Sequence, residues 1–155
     1  MPSYTFPFFQ WCDQSWLGTA VRDHLWAFPL IETFHLLALA VLLGTVLIVN
    51  LRVLGFGAKY SSVAQIAQEL ERWMVWSIVV LIASGIPMMM SEPMKCYESS
   101  SFLIKMILLI VAIIFHYTVQ RKWAQGRNPP GRIAAFTSLA LWSVISMAGK
   151  GIPYI

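Results

Sequence analysis

Hydrophobic residues fall into four long runs separated by short polar stretches, and run length rather than amphipathic period predicts the elements. The first run, residues 28–51, is broken only by Glu32, His35 and Asn50. The second, 73–90, carries no charge and has Pro87 near its end, where a lost backbone bond is tolerable. The third, 102–119, contains Lys105 and His116, and the fourth, 133–147, is apolar apart from small hydroxyl residues and Trp142. Four membrane-crossing helices of roughly 20 residues each fit within this chain length. The predicted fold is therefore all-α: one transmembrane domain over residues 1–155, an integral membrane four-helix bundle.

The connecting stretches refine this picture. Two prolines and a glycine in Arg127–Arg132 ("RNPPGR") predict a turn between the third and fourth helices. Gly149, Gly151 and Pro153 predict the stop of the fourth. Ser62 and Gln65 have capping-box spacing, and Val63, Ile66 and Leu70 share a face. That pattern predicts a short amphipathic helix over 62–72, between the first and second spans, lying at the membrane interface; a solvated loop helix is the alternative.

Composition agrees. The chain is 155 residues long with 58% hydrophobic and 12% charged side chains, about half the charge of an average soluble domain. The net charge of +4 raises the question of nucleic acid, but loop placement of the basic residues explains them better, and no nucleic-acid partner is expected. Arg52, Lys59, Arg72, Arg121, Lys122, Arg127 and Arg132 fall on one side of the predicted bundle, and Arg22, Lys95, Lys105 and Lys150 on the other. The positive-inside rule then places both termini outside an inner (plasma) membrane. The N-terminus has no basic n-region or small-residue cleavage site, so the first span is expected to direct insertion itself. Trp11, Trp16, Trp26, Trp73 and Trp76 sit where interfacial aromatic belts are expected.

Candidate chemistry is confined to a few polar positions. Ionisable groups in a bilayer are costly and need partners, and three are predicted at depth: Glu32, His35 and Lys105. Glu32 and His35 share a face about 7 and about 12 Å below the outer surface, and Lys105 enters from the same side at about 5 Å. Glu32 and Lys105 are expected to pair, either as a structural lock or as part of a site. His35 needs a hydrogen-bond partner, a haem iron or another metal, or a place in a proton relay. His24 lies eleven residues earlier, near the same face if the helix extends that far, and His116 is roughly 20 Å from the outer edge. This mismatch in depth argues against one haem held by His35 and His116. Ser138, Trp142, Ser146 and Lys150 form a polar stripe expected to turn inward. Ser146 and Lys150 would then join Glu32, His35 and Lys105 around an outward cavity. Ala40 and Gly44 would allow close approach of another helix.

Met88, Met89, Met90, Met94 and Cys96 cluster in one outward segment, which admits copper as a soft-ligand alternative. Cys12 and Cys96 fall on the same outer side, where they either form a disulfide or stay as free thiols. No Ser/His/Asp set, phosphate-binding glycine loop or CxxC occurs, which argues against a self-contained enzyme.

The segments "FPLIETFHLLALAVLLGTVLIVNLRVLGFG", "SEPMKCYESSSFLIKM" and "LWSVISMAGKGIPYI" resemble a domain-of-unknown-function family of bacterial four-helix inner-membrane proteins, over nearly the whole chain. The family pattern maps onto Glu32 and His35, Leu51 and Arg52, Ser91 and Glu92, Lys95 and Tyr97, Phe102 and Lys105, and Gly149 with Lys150. Asn50 stands where the family usually has an acid, and Lys150 where it usually has Arg. The resemblance implies the fold and the polar cluster, not a reaction. The functional expectation is a small redox or electron-transfer subunit binding haem b through His35, in a homo-oligomer or beside a larger membrane or periplasmic partner. A proton- or ion-coupled transporter or channel subunit using Glu32, His35 and Lys105 as a relay is the alternative, followed by a structural accessory subunit.

Overall fold

The structure, a computed structural model, describes residues 5–56, 62–120, 122 and 129–151. Among them are seven α-helices: α1 (Phe6–Asp13), α2 (Trp16–Asp23), α3 (Ala27–Leu54), α4 (Val63–Ser91), α5 (Pro93–Glu98), α6 (Ser100–Phe115) and α7 (Pro129–Gly151). A π-helical segment, His116–Gln120, continues α6. The described residues contain no strand. Three helical stretches are long and apolar enough to cross a membrane: Ala27–Leu54, Val63–Ser91 and Ser100–Val119. The fourth predicted run lies within α7, which is not among those three.

Seven helices replace the predicted four because the polar flanks also fold. α1 and α5 begin with a proline in the first turn, where the missing N–H costs nothing. α2 is capped by Ser15, whose hydroxyl accepts from the Gly18 N–H at 3.1 Å, and α6 by Ser99, which accepts from Phe102. These local signals lie in the sequence, in stretches too short to register as apolar runs.

The capping box at Ser62 forms as predicted, with Ser62 Oγ accepting from the Gln65 N–H and Gln65 Oε1 accepting from the Ser62 N–H at 3.1 Å. The interfacial helix it was expected to start does not exist separately. No glycine or proline occurs between Ser62 and Trp73, so residues 63–72 and the apolar run form one continuous helix. Likewise, Pro129–Arg132 are not a turn but the first turn of α7. α3 ends at Gly55, whose left-handed φ of 105° lets Phe56 N–H reach the Leu51 carbonyl at 2.9 Å.

The most extensive packing is between α3 and α4, with α7 lying against α3 and α6. Their shared core is Leu42, Val46, Met74, Ala112, Trp142 and Ile145. The inner face of α3 thus runs through Ala38, Leu42, Val46, Asn50 and Val53. Ala40 is off that face, and a Cβ on Gly44 would meet nothing within 4 Å, so among the described residues no helix packs into the small-residue pair. α1, α2 and α5 gather at the end where α4 finishes, α1 against α5 and α2 against α4. They form a cap at that end of the bundle.

Candidate functional site

His35 lies on α3, half-buried, facing α4. Its Nδ1 is 2.9 Å from Ser84 Oγ, while the Ser84 hydroxyl is 2.6 Å from the Val80 carbonyl of its own helix. A hydroxyl has one hydrogen, and the Val80 carbonyl can only accept it. Ser84 therefore accepts from Nδ1–H, and the Leu81 backbone also hydrogen-bonds the ring. This is how a histidine ligand is oriented by a second group. Gly85 leaves the ring uncrowded, since a Cβ there would sit 3.5 Å from Cε1, ordinary contact distance. Lys105, half-buried on α6, lies within electrostatic range of His35 and of Cys96.

The other predicted members separate. Glu32 and Lys105 do not pair: the ion pairs among the described residues are Arg22–Asp13 and Lys95–Glu92. α3 and α6 are not major packing partners; α7 packs against both. His24 caps α2 in an extended conformation, so it is not on the His35 helix; α3 starts only at Ala27. His116 is in the π-helical segment, stacked edge-on against Tyr117, and lies eleven residues along from Lys105, about 16 Å. Ser146 donates to the Trp142 carbonyl within α7. Ser138 and Trp142 are buried as the stripe predicted. The side chain of Lys150, with Lys59, Arg121, Arg127 and Pro153, lies outside the described residues.

At the cap, Tyr97 meets Phe6 and Phe9 at ring-centroid distances of 5.4 and 5.5 Å. Arg22 clips the cap to the bundle by donating to Asp13 and, at 3.2 Å, to the Ser91 carbonyl at the end of α4. Gly18 sits so close to α4 that any Cβ would overlap the Met90 carbonyl oxygen. Lys95 and Glu92 pair on the exposed surface at 2.7 Å. Cys12 and Cys96 are both buried free thiols rather than a disulfide. Burial raises the Cys12 thiol, and burial followed by the Glu92 charge pushes Cys96 up to about 11, with Lys105 opposing. Both cysteines thus stay in the thiol form near pH 7 in the absence of a metal. Among the described residues no three His, Cys, Asp or Glu side chains group to hold a metal ion.

A second polar cluster, unforeseen as a unit, lies at the opposite end of α3. Asn50, fully buried, donates through Nδ2 to the Val46 carbonyl at 2.8 Å and to Ser138 Oγ at 3.2 Å. Arg52 is buried two residues on. Asn50 and Ser138 tie α3 to α7. The sequence signal was Asn50 itself, an amide at the end of an apolar run.

Of the predicted residues, then, His35 and Lys105 lie within electrostatic range of each other, and His35 is bonded by Ser84, for which the sequence carried no signal. Neither a curated protein nor a solved structure matches the chain. A family model does match it, over residues 8–155, and the chain belongs to that family, the family of unknown function DUF6644.

Proposed function

We propose that the protein is a multipass inner-membrane subunit, with its cap and both termini outside, that binds haem b through His35 for electron transfer within an oligomer or to a larger membrane partner. The observation that carries this reading is the hydrogen bond chain from His35 Nδ1–H through Ser84 to the Val80 carbonyl, which orients the imidazole so that Nε2 would be the ligand nitrogen. Haem iron bound there would supply one-electron chemistry. Lys105 suits a propionate, and Glu32, one turn from His35 toward the cap, would set the local charge. The half-exposed position of His35 fits a group shared with a second subunit.

An absorption spectrum of the protein purified after expression with ample haem supply tests this. A Soret band that disappears in His35→Ala and weakens in Ser84→Ala is expected; a colourless parent protein refutes it. For the orientation, a cysteine placed at Lys122 should be labelled from the cytoplasm only.

A proton or ion relay is the second reading, favoured by the ammonium of Lys105 acting on His35. It predicts a colourless protein whose proteoliposomes show a proton flux lost in both His35→Ala and Lys105→Met.

A further inference from the structure

α1 and α2 pack against α5 and α4, yet their outer surfaces are not those of a cap standing in water. The two most exposed large hydrophobic side chains among the described residues are Leu25 at 82% and Trp16 at 81%, and both belong to this end of the molecule rather than to the spans. Phe8, Trp11, Leu17 and Trp26 are exposed as well, and the Phe8 and Trp11 rings lie 6.3 Å apart as one patch. The exposed surface is also divided. On α1 the buried side chains are Phe9 and Cys12, and helical rotation puts Phe8 and Trp11 on one flank of them and Gln10 and Asp13 on the other. On α2, where Gly18 and Val21 are buried, Leu17 and Ala20 fall on one flank and Thr19 and Arg22 on the other. Each helix thus carries three stripes: one packed on the protein, one apolar and one polar. A helix that meets only protein and water needs two.

Chain continuity fixes where the second apolar environment lies. α3 is 28 residues long, about 42 Å, which matches the roughly 40–45 Å of a bilayer with both headgroup layers. Its first residue, Ala27, then lies at the membrane surface, and the connection from Asp23, the end of α2, reaches at most about 14 Å. α5 joins the ends of α4 and α6 on the same side, so α1, resting on α5, is held at the same level.

We propose that α1 and α2 form a monotopic helix pair lying in the plane of the membrane, whose partner is the boundary between headgroups and acyl chains of one leaflet. Phe8, Trp11, Trp16 and Leu17 enter the lipid, while Gln10, Asp13 and Arg22 face water. The patch runs on through Leu25 and Trp26 into a span, and indole is the side chain that this boundary favours, with an apolar body and one N–H to donate. Apolar contact rather than charge holds the pair there. The ionisable residues of α1 and α2 are Asp13, Arg22 and Asp23, which lack the basic excess that draws an amphipathic helix to anionic lipid. The proposal rests on reading α3 as a membrane span, and on neither the orientation of the termini nor a haem.

Nitroxide labels on single introduced cysteines of the full chain test it, read by power-saturation EPR in phosphatidylcholine liposomes with oxygen and a water-soluble nickel chelate as relaxing agents. The parent protein, whose own cysteines are buried, is the blank. Labels at Trp11→Cys and Leu17→Cys should be relaxed mainly by oxygen, at a depth of about 5–10 Å, and the label at Gln10→Cys mainly by nickel. Adding phosphatidylglycerol should leave all three unchanged. Nickel dominance at Trp11 and Leu17 would overturn the proposal and assign the patch to a protein partner absent from the liposomes. Oxygen dominance at Gln10 would overturn it too, since α1 would then be immersed rather than lying in the plane. So would a depth that appears only with phosphatidylglycerol, because charge would then hold the cap. A label at Leu37→Cys, on the exposed side of α3, separates the two premises. Nickel dominance there refutes the span itself, whereas oxygen dominance there with nickel dominance at Trp11 refutes only the interfacial pair.

Discussion

The two ends of α3 hold their polar groups in opposite ways. At one end Asn50 and Ser138 are almost completely buried and bond directly across the α3–α7 contact. At the other, His35 is half-buried and meets Ser84 through Nδ1. A buried amide whose hydrogen bonds are met fixes how two helices sit, and its removal costs stability. A half-buried imidazole held in this way is positioned rather than sealed. The end with Asn50 is thus built to hold, and the end with His35 is where the proposed binding would take place. The cap sharpens the contrast, because α1, α2 and α5 are clipped on by an exposed guanidinium and an aromatic trio rather than buried in the common core.

The largest effect should come from the cap's tightest contact. Gly18→Ala places a methyl group into the Met90 carbonyl, and neither backbone can yield without parting α2 from α4. A loss of about 3 kcal/mol is expected, read as a fall in Tm in detergent with early proteolysis before Ala27. An unchanged Tm would mean the cap is far looser than its contact with α4 implies.

Next comes the holding end. Asn50→Ala removes the bond to Ser138 and leaves space in a sealed region, for an expected loss of about 2 kcal/mol. The same thermal melt reads it, and haem content should be unaffected. Ser84→Ala supplies the mirror image at the binding end: a smaller loss of about 1 kcal/mol, but with a weakened Soret band. If both variants changed stability alone, the functional contrast between the ends would collapse.

The cap also carries a pH dependence. Cys96 titrates at about 11 in the folded protein against 9.0 for the ordinary thiol, so folding favours the protonated form. Its contribution is complete below pH 9 and is lost as pH rises through about 11. Tm measured across that range should fall, and should fall less in Cys96→Ala; identical slopes would exclude Cys96 as the cause. The smallest effect belongs to Lys95→Ala, since its pair with Glu92 is exposed and an exposed pair contributes about 0.5 kcal/mol or less. A larger shift in Tm would show that Lys95 has a role at the cap beyond that pair.

Helicity and the positions of the apolar runs were legible in the sequence because burying a backbone in hydrocarbon requires every peptide group to be bonded within its own helix, and 20 apolar residues in a row announce that. The first three predicted runs lie inside Ala27–Leu54, Val63–Ser91 and Ser100–Val119. The capping box at Ser62 was legible for the same local reason. What followed it was not, because a cap marks where a helix starts and the absence of a breaker at Arg72 decides how far it continues. His35 was legible as a buried group in need of a partner. Ser84 was not, since a serine in an apolar run usually bonds its own helix, as Ser77 does with Trp73.

The amino-acid sequence by itself determined the helical class, the apolar segments and the short roll of polar residues that burial makes costly. It did so because each rests on local backbone chemistry or on transfer from water. Only the tertiary structure decided which of those residues meet. Glu32 and Lys105 seemed matched by sign and depth, yet depth along a helix says nothing of the direction in which a side chain leaves it or of which helices are neighbours. Helix packing put α4 beside α3, so the partner of His35 is Ser84. The same packing gave Asn50 to Ser138 and closed the cap through Gly18, a residue whose value lies in having no side chain where two backbones meet.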